Sequence, residues 1–224
     1  MQIAPGKNDI QEKKSIVFSK QIIPPRLILI LGGVRSGKSA YAERLAVGSE
    51  KTVAFIATAT DGDDEMHERI VRHKASRPQE WHTIEEPLDL VSAVQRAYQL
   101  ADVTLLDCMT LWLGNMLLQD HEKRQSDDQE QVELQISSDQ FNEQALQHIE
   151  ELLAIQQNAE AGKTLIIVSN EVGLGIVPAY PLGRIYRDTL GYVNQRLAQD
   201  ADRVYLMVAG MAVDIKSLHL EASL

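Results

Sequence analysis

The residues with the clearest chemical potential form a glycine-rich stretch in the first fifth of the chain. Residues 32–39 fit the pattern G-x-x-x-x-G-K-[ST] of a phosphate-binding loop. Glycines let such a loop curl so that successive N–H groups point at phosphate oxygens. Lys38 is expected to reach the β- and γ-phosphates of a purine nucleoside triphosphate, and the Ser39 hydroxyl to ligate Mg²⁺. The residues predicted to contact the nucleotide here are Gly32, Gly33, Val34, Arg35, Ser36, Gly37, Lys38 and Ser39.

The surroundings of this loop decide whether the pattern is meaningful. The apolar run at residues 27–31 precedes it, and a helical pattern at residues 39–46 follows it. A chance glycine-rich turn between a strand and a helix is the alternative. The match of every fixed position and of both flanks favours a true phosphate loop.

A phosphate loop also needs a second acidic group for its metal, and we expect this group at the tip of a neighbouring strand. Asp107 closes the apolar run at residues 103–106 and fits this Walker-B role. Taken alone, an aspartate after a strand is as often a helix cap as a metal ligand. Given the phosphate loop, the sequence predicts Ser39 and Asp107 as the Mg²⁺ ligands.

The positions of apolar runs predict the architecture that carries these groups. Runs without alternation are typical of parallel strands that are covered on both faces. Such runs occupy residues 27–31, 53–57, 103–106, 164–168 and 204–208. Helical patterns separate them at residues 39–46, 63–75, 87–100, 139–161 and 183–199. The alternation predicts an α/β fold of the P-loop NTPase type, a mainly parallel sheet with helices on both faces, in a single domain.

Composition and charge narrow the classes of function. The chain has 224 residues, with 44% hydrophobic and 24% charged residues, as is usual for a globular domain. No run approaches the roughly 20 apolar residues of a membrane span, and residues 1–26 lack a signal peptide, so we expect a cytoplasmic protein. The net charge of −10 argues against nucleic acid as a partner, and the single cysteine excludes an intramolecular disulfide.

Three segments lie outside the predicted core. Residues 1–26 are interpreted as a flexible N-terminal extension, residues 27–216 as the P-loop domain and residues 217–224 as a C-terminal tail. Residues 119–147 contain eight acidic residues and eight glutamines, and are interpreted as a solvated insertion with part of an exposed helix. A docking surface for a partner is the alternative.

A histidine is presented by the helical pattern at residues 63–75. Met66, Ile70 and His73 are spaced by four and three residues and share one helix face, whereas His67 lies about 100° away. From spacing alone, a half-buried structural histidine is a better interpretation of His73 than a reactive one. His82, beside Trp81 and near a predicted strand, is interpreted as structural.

The segment that follows the fourth run is unusual for a simple connection. Residues 169–178 come after a strand, at the edge where α/β sheets place ligands. Arg184 and Arg187 share one face of the helix that follows. A solvated helix face and arginines directed at a phosphate both fit this spacing.

Together these motifs resemble one family, the bifunctional adenosylcobinamide kinases/adenosylcobinamide-phosphate guanylyltransferases of cobalamin biosynthesis. The resemblance covers about residues 27–216, and the histidine helix and residues 170–178 are its specific parts. Besides the phosphate loop, the motifs are Ile56-Ala57-Thr58, Asp64-Glu65-Met66, Arg69-Ile70-x-x-His73, Arg77-Pro78, Trp81, residues 170–178, Arg187-Asp188 and residues 193–197.

The resemblance implies two reactions. ATP or GTP phosphorylates the aminopropanol hydroxyl of adenosylcobinamide, and GMP from GTP then passes through an enzyme histidine to adenosylcobinamide phosphate. By position, that histidine is His73, with Lys38 as the second catalytic residue. Some relatives carry Glu where this chain has Asp107. The resemblance also implies a homo-oligomer and further nucleotide contacts at Ala57, Thr58, Lys74, Arg77 and Glu85.

Other classes of nucleotide-binding protein fit less well. A regulatory GTPase should carry an N-K-x-D motif after the fourth strand, where this chain has Ser169-Asn170-Glu171-Val172. A motor ATPase that acts on DNA is disfavoured by the negative net charge. A kinase without guanylyltransferase activity is the remaining alternative, and the sequence leaves the choice between ATP and GTP as phosphate donor open.

Overall fold

The protein is built around one mainly parallel sheet. The structure, a computed structural model, describes residues 25–60, 68, 71, 74, 77–127 and 137–220. Within these residues seven strands form the sheet in the order β3-β2-β4-β5-β1-β6-β7, with only the β6–β7 pair antiparallel. The strands are β1 (Leu27–Gly32), β2 (Val53–Ala57), β3 (His82–Glu85), β4 (Val103–Asp107), β5 (Thr164–Val168), β6 (Arg203–Val208) and β7 (Met211–Asp214).

Five α-helices have bounds within the described residues, and they connect the strands in the pattern expected of an α/β fold. They are α1 (Lys38–Gly48), α2 (Leu90–Leu100), α3 (Met109–Asp127), α4 (Ser138–Asn158) and α5 (Pro181–Asp200). The predicted fold class is confirmed. The helix predicted at residues 63–75 lies largely outside the described residues. No helix in the described part of the chain is both long enough and apolar enough to cross a membrane.

The sheet separates two hydrophobic layers. Alternate residues of β1 face opposite layers: Leu27 and Leu29 pack on one side, and Ile28 and Ile30 on the other. Helices α2, α3, α4 and α5 cover the first layer, whereas α1 covers the second. Burial on both faces explains why the central strands are continuous apolar runs.

The two edge strands were not among the five predicted apolar runs, although a strand was expected near His82. Among the described residues, β3 pairs only with β2 and β7 only with β6, and neither strand contains a fully buried residue. Because an edge strand need not be apolar on both faces, these segments lacked the signal that marked the other five. Helix α3, also not predicted, supplies Met109, Trp112 and Leu113 to the first layer.

The helix predicted from residue 139 is confirmed, but its first part, which was assigned to a solvated insertion at residues 119–147, packs in the core. Helix α4 begins at Ser138, and its residues Phe141 and Ala145 have no exposed surface. They continue at helical spacing into Ile149, so the apolar stripe faces the core while the many polar residues face outward. Residues 119–127 belong to α3, and residues 128–136 lie outside the described part of the chain.

The boundary of the N-terminal extension also needs correction. Arg26, predicted as its last residue, donates from Nη2 to the carbonyl oxygens of Gln156 (2.9 Å) and Ala159 (2.8 Å) at the end of α4. Its backbone N–H donates to Asp202 Oδ2 at 2.7 Å. Arg26 is therefore part of the folded domain, and residues 1–24 of the predicted extension lie outside the described residues.

The packing of α4 can be tested at Phe141. We expect Phe141→Ala to lower the free energy of unfolding by about 3–5 kcal/mol, because it opens a cavity in a closely packed layer. Urea denaturation followed by circular dichroism measures this change. The matched control is Glu143→Ala, an exposed position on the same helix, which should change the free energy by less than about 0.5 kcal/mol. A small, equal effect of both substitutions would show that α4 does not pack as described.

Candidate functional site

The backbone of the phosphate loop requires glycine at two positions. Gly32, at the end of β1, has φ 149°, and a Cβ atom there would lie 2.6 Å from the carbonyl oxygen of Met207. Gly37 has φ 94°, in the left-handed region. Since real Cβ atoms do not approach backbone oxygens so closely, the sequence of the loop is dictated by its neighbours as well as by its own turn.

The loop is fastened to the rest of the sheet through backbone hydrogen bonds. Glu171 N–H, just after β5, donates to the Gly32 carbonyl oxygen at 3.0 Å. Gly210 N–H, in the β6–β7 turn, donates to the Ser36 carbonyl oxygen at 3.0 Å. Both neighbouring strands of β1 thus contribute to the position of the loop.

Lys38 places a positive charge inside the loop. It is the first residue of α1, its side chain is buried, and Nζ donates to the Gly33 carbonyl oxygen at 2.7 Å. Ser39 is half-buried in the same helical turn, whereas Val34 and Arg35 are exposed at the loop tip. An ammonium group, a curled backbone and a helix N-terminus together are suited to bind an anion.

Asp107 does not lie on a strand adjacent to β1, contrary to the prediction. Strand β5 pairs with both β1 and β4, and so separates the loop from Asp107. The physical reason is that strand pairing is non-local, so the order of strands along the chain does not determine their order in space. Asp107 is half-buried and lies in register with Val168 of β5 and Ala57 of β2, at the same edge of the sheet.

Thr58 connects two strand tips at this edge. Its hydroxyl donates to the Cys108 carbonyl oxygen at 2.7 Å and accepts from the Cys108 N–H at 2.8 Å. Asn115 of α3 donates from Nδ2 to the Thr58 carbonyl oxygen at 2.8 Å. Ala57 precedes this connection and is buried. Both predicted residues therefore lie at the edge of the sheet that carries the loop, where Thr58 fixes the backbone around Asp107.

Cys108 is the one cysteine of the chain, and its environment makes it a poor nucleophile. Burial, with a further contribution from the negative charge of Asp107, raises the pKa of the thiol to about 11. The thiolate is the reactive form of cysteine, so this thiol stays protonated and unreactive at neutral pH.

Three further predicted residues gather near the end of β3. Lys74 Nζ lies 2.5 Å from Glu85 Oε1, an exposed ion pair. The Arg77 guanidinium stacks over Phe55, with Cζ 3.6 Å from the ring centroid. Burial lowers the pKa of Arg77, while the carboxylates of Asp107, Glu43 and Glu85 oppose this shift. The structure thus brings Lys74, Arg77 and Glu85 together at the carboxyl ends of the strands, where the charge of Asp107 also acts on Arg77.

Arg77 retains unused hydrogen-bonding capacity. Its Nε and Nη1 atoms are buried, and no acceptor among the described residues bonds to them. An arginine in this state can donate two hydrogen bonds to a planar or tetrahedral anion. His73, the predicted nucleophile, lies outside the described residues.

A series of buried hydrogen bonds, to which the sequence analysis assigned no role, supports the carboxyl end of β5. Ser169 Oγ donates to Asn194 Oδ1 at 2.7 Å, and Asn194 Nδ2 donates to the Asn170 carbonyl oxygen at 2.9 Å. Asn170 N–H in turn donates to Thr110 Oγ1 at 3.0 Å. These bonds fix the backbone that leads to Glu171 and the phosphate loop. Only the resemblance pointed to Asn170 and Asn194, since a buried amide has no distinctive spacing.

The arginines of α5 take structural partners in the described residues. Arg184 donates to the carbonyl oxygens of Pro178 (3.1 Å) and Ala179 (2.8 Å), and Arg187 pairs with its neighbour Asp188. His82 opens the edge strand β3 and is exposed.

Comparison with known proteins shows which family this chain resembles. A family model described as cobinamide kinase/cobinamide phosphate guanyltransferase matches residues 28–215. The bifunctional adenosylcobalamin biosynthesis protein CobP of Pseudomonas aeruginosa is 42% identical over 188 residues, which cover 84% of this chain and 96% of the relative. The bifunctional adenosylcobalamin biosynthesis protein CobU of Escherichia coli K12 is 39% identical over 191 residues, covering 85% and 99%. Among solved structures, a prototypical ATPase from a type III secretion system aligns with 88% of this chain and 59% of its own, at a TM-score of 0.48 and 11% identity.

The series of buried hydrogen bonds makes a quantitative prediction. Asn194→Ala leaves the Ser169 hydroxyl and the Asn170 carbonyl without their partner, so the free energy of unfolding should fall by about 1–3 kcal/mol. Urea denaturation again provides the measurement. The control is Asn158→Ala at the exposed end of α4, where Nδ2 donates to Ala154 O at 2.8 Å and water can replace it. If Asn194→Ala were no more destabilising than the control, the series would not support the site.

Proposed function

Because the chain belongs to the cobinamide kinase/cobinamide phosphate guanyltransferase family, we propose that it performs both reactions in sequence. In the first, ATP or GTP phosphorylates the aminopropanol hydroxyl of adenosylcobinamide. In the second, GTP guanylylates His73, and GMP then passes to adenosylcobinamide phosphate, giving adenosylcobinamide-GDP. The observation that carries the proposal is that the family match at residues 28–215 contains an intact phosphate loop with Lys38 buried inside it.

Lys38 is proposed to bind the phosphates in both reactions. Its ammonium group now bonds to the Gly33 carbonyl oxygen, a neutral acceptor within the loop. Anionic phosphate oxygens are stronger acceptors than a carbonyl, so the ammonium can turn from one to the other without leaving the loop. The loop N–H groups and the N-terminus of α1 add to the attraction. The nucleotide is therefore held by local positive groups in a protein of net charge −10.

The side chains at this edge suit Mg²⁺. Ser39 and Asp107 supply a hydroxyl and a carboxylate, both half-buried and both oxygen donors of the kind that this hard cation prefers. When bound, Mg²⁺ would neutralise part of the charge of the phosphates. We propose Ser39 and Asp107 as its protein ligands.

His73 is proposed to carry the GMP group. A neutral imidazole nitrogen forms a bond to the α-phosphorus, and the bond from that phosphorus to the bridging oxygen breaks, so that pyrophosphate leaves with the electron pair. Lys74, the next residue, is paired with Glu85 at the end of β3, and Arg77 has two N–H groups that no described residue accepts. The alternative nucleophile, Cys108, is disfavoured because its thiol stays protonated.

The second half of the transfer completes the cycle. A phosphate oxygen of adenosylcobinamide phosphate attacks the guanylyl phosphorus, and the phosphorus–nitrogen bond breaks to restore the imidazole. Splitting one transfer into two displacements divides the barrier between them.

A homo-oligomer and a cytoplasmic location remain predictions. A kinase that lacks the second activity is the rival, and it differs in whether His73 becomes modified.

The phosphate site can be tested at Lys38. We expect Lys38→Ala to reduce kcat/KM of both reactions by at least about 100-fold, because one preorganised charge is lost from each transition state. The measurement is product formation from cobinamide and from cobinamide phosphate. The control is Lys51→Ala, whose exposed ammonium bonds to the Gly162 carbonyl oxygen at 3.0 Å. Near-native turnover of Lys38→Ala in either assay would remove the loop from that reaction.

The nucleophile can be tested by intact mass. Protein incubated with GTP and Mg²⁺ should gain the mass of one GMP and release pyrophosphate. A phosphoramidate adduct should be lost in acid and survive alkali. His73→Ala should form no adduct, whereas the controls His67→Ala and His82→Ala should form it normally. The rate should rise as the pH passes upward through about 6.5, since only the neutral imidazole attacks. An adduct on another residue, or none at all, would favour the kinase alone.

A further inference from the structure

A group of exposed apolar side chains follows β5 beside the phosphate loop. We call residues 174–180 the apolar loop. Its large side chains are markedly exposed: Leu174 is 83%, Ile176 95%, Val177 61% and Tyr180 64% exposed. Single exposed apolar residues are common. Four large exposed apolar side chains within one seven-residue loop beside the phosphate loop are instead typical of a binding surface.

The apolar loop is held in place from both ends. The residues that lead into it are tied to the phosphate loop, because Glu171 N–H donates to the Gly32 carbonyl oxygen at 3.0 Å. Gly175 N–H bonds to the Val172 carbonyl oxygen at 3.1 Å, and the Arg184 guanidinium bonds to two carbonyl oxygens at residues 178 and 179. The apolar side chains are therefore presented to solvent by a backbone with defined hydrogen bonds.

Glu171 adds a reactive group at the point where the two loops meet. Strand β5 lies between β1 and β4, so its tip stands between the phosphate loop and Asp107. The Glu171 side chain is half-buried, and within the described part of the chain no cation or N–H group pairs with its carboxylate. A Cβ atom at position 173 would approach Glu171 Oε1 to 3.2 Å, so glycine at that position leaves the carboxylate uncrowded.

We propose that residues 171–180 form the acceptor subsite of the kinase reaction. Glu171 accepts the proton of the acceptor hydroxyl, and Leu174, Ile176 and Val177 contact the apolar surface of the molecule that carries this hydroxyl. The inference rests on the proposed function, and it assigns a base and a specificity surface to residues that the proposed function leaves without a role.

Transfer of the γ-phosphoryl group to the acceptor hydroxyl needs no reactant other than the nucleotide and the acceptor. The acceptor oxygen forms a bond to the γ-phosphorus, and the bond from that phosphorus to the β–γ bridging oxygen breaks, releasing the nucleoside diphosphate. The hydroxyl proton passes to the Glu171 carboxylate, which later returns it to solvent. A positioned base of this kind typically accelerates proton transfer by about 10²–10⁴-fold. Guanylylation of His73 has no hydroxyl to deprotonate, so it does not need Glu171.

The difference between the two reactions tests Glu171. We expect Glu171→Gln to lower kcat for cobinamide phosphorylation by about 100-fold while the KM for the nucleotide changes little. The same protein should form the GMP adduct with GTP at the wild-type rate. The control is Glu143→Gln, an exposed glutamate of α4. A Glu171→Gln enzyme with wild-type kinase activity would overturn the assignment of the base.

The apolar loop is tested with a double variant. Leu174→Ser/Ile176→Ser should raise the KM for cobinamide by about 10-fold or more, since two apolar contacts are lost, and leave the KM for the nucleotide unchanged. The control is Leu100→Ser. Leu100 is an exposed leucine at the end of α2, close to the amino end of β4 and so at the opposite ends of the strands from the phosphate loop. An unchanged KM for cobinamide would overturn the surface.

Two further outcomes separate this inference from the proposed function. If Glu171→Gln lost nucleotide binding and the GMP adduct together with kinase activity, Glu171 would support the phosphate loop and the acceptor subsite would be wrong. If the wild-type protein showed neither phosphorylation nor an adduct, the proposed function would itself fail. Wild-type protein with both activities, combined with unaffected variants, would contradict the acceptor subsite alone.

Discussion

The close approach of β6 to the phosphate loop is the constraint on which the site depends. At Gly32 the backbone passes so near the Met207 carbonyl oxygen that no side chain fits between them. This approach brings the β6–β7 turn under the loop, where Gly210 bonds to Ser36, and leaves the Gly32 carbonyl oxygen directed at Glu171. The phosphate loop is thus shaped by its main-chain contacts with the segments that follow β5 and β6 as well as by its own glycines.

The sequence predicted the parts of the fold whose signals are local. Strands β1, β2, β4 and β5 are buried on both faces, and this burial produces apolar runs that can be recognised without knowing which strands pair. Strand β6 is more exposed but is also rich in apolar residues. The pairing of β5 between β4 and β1 is decided by contacts between distant segments, and for that reason Asp107 was expected one strand too close. The composition of residues 119–147 concealed the core face of α4, because polar residues outnumber the stripe that contains Phe141.

The same distinction applies to the site. The phosphate loop was predictable because its backbone geometry demands particular residues at fixed spacing. Lys74, Arg77 and Glu85 were expected only from the resemblance, and the structure brings them together across the end of β3. Glu171 received no role, since the bond that places it beside the loop is made by its backbone N–H, which every residue except proline possesses.

The bond between Gly210 and Ser36 also has a consequence for how the protein is made. The loop is encoded near the beginning of the chain, yet one of its supports lies 174 residues later (210 − 36). During synthesis the ribosome must therefore release the chain through β7 before the hairpin of β6 and β7 can close beneath the loop. A nascent chain that ends before β6 carries the glycine-rich motif without this part of the scaffold that supports it.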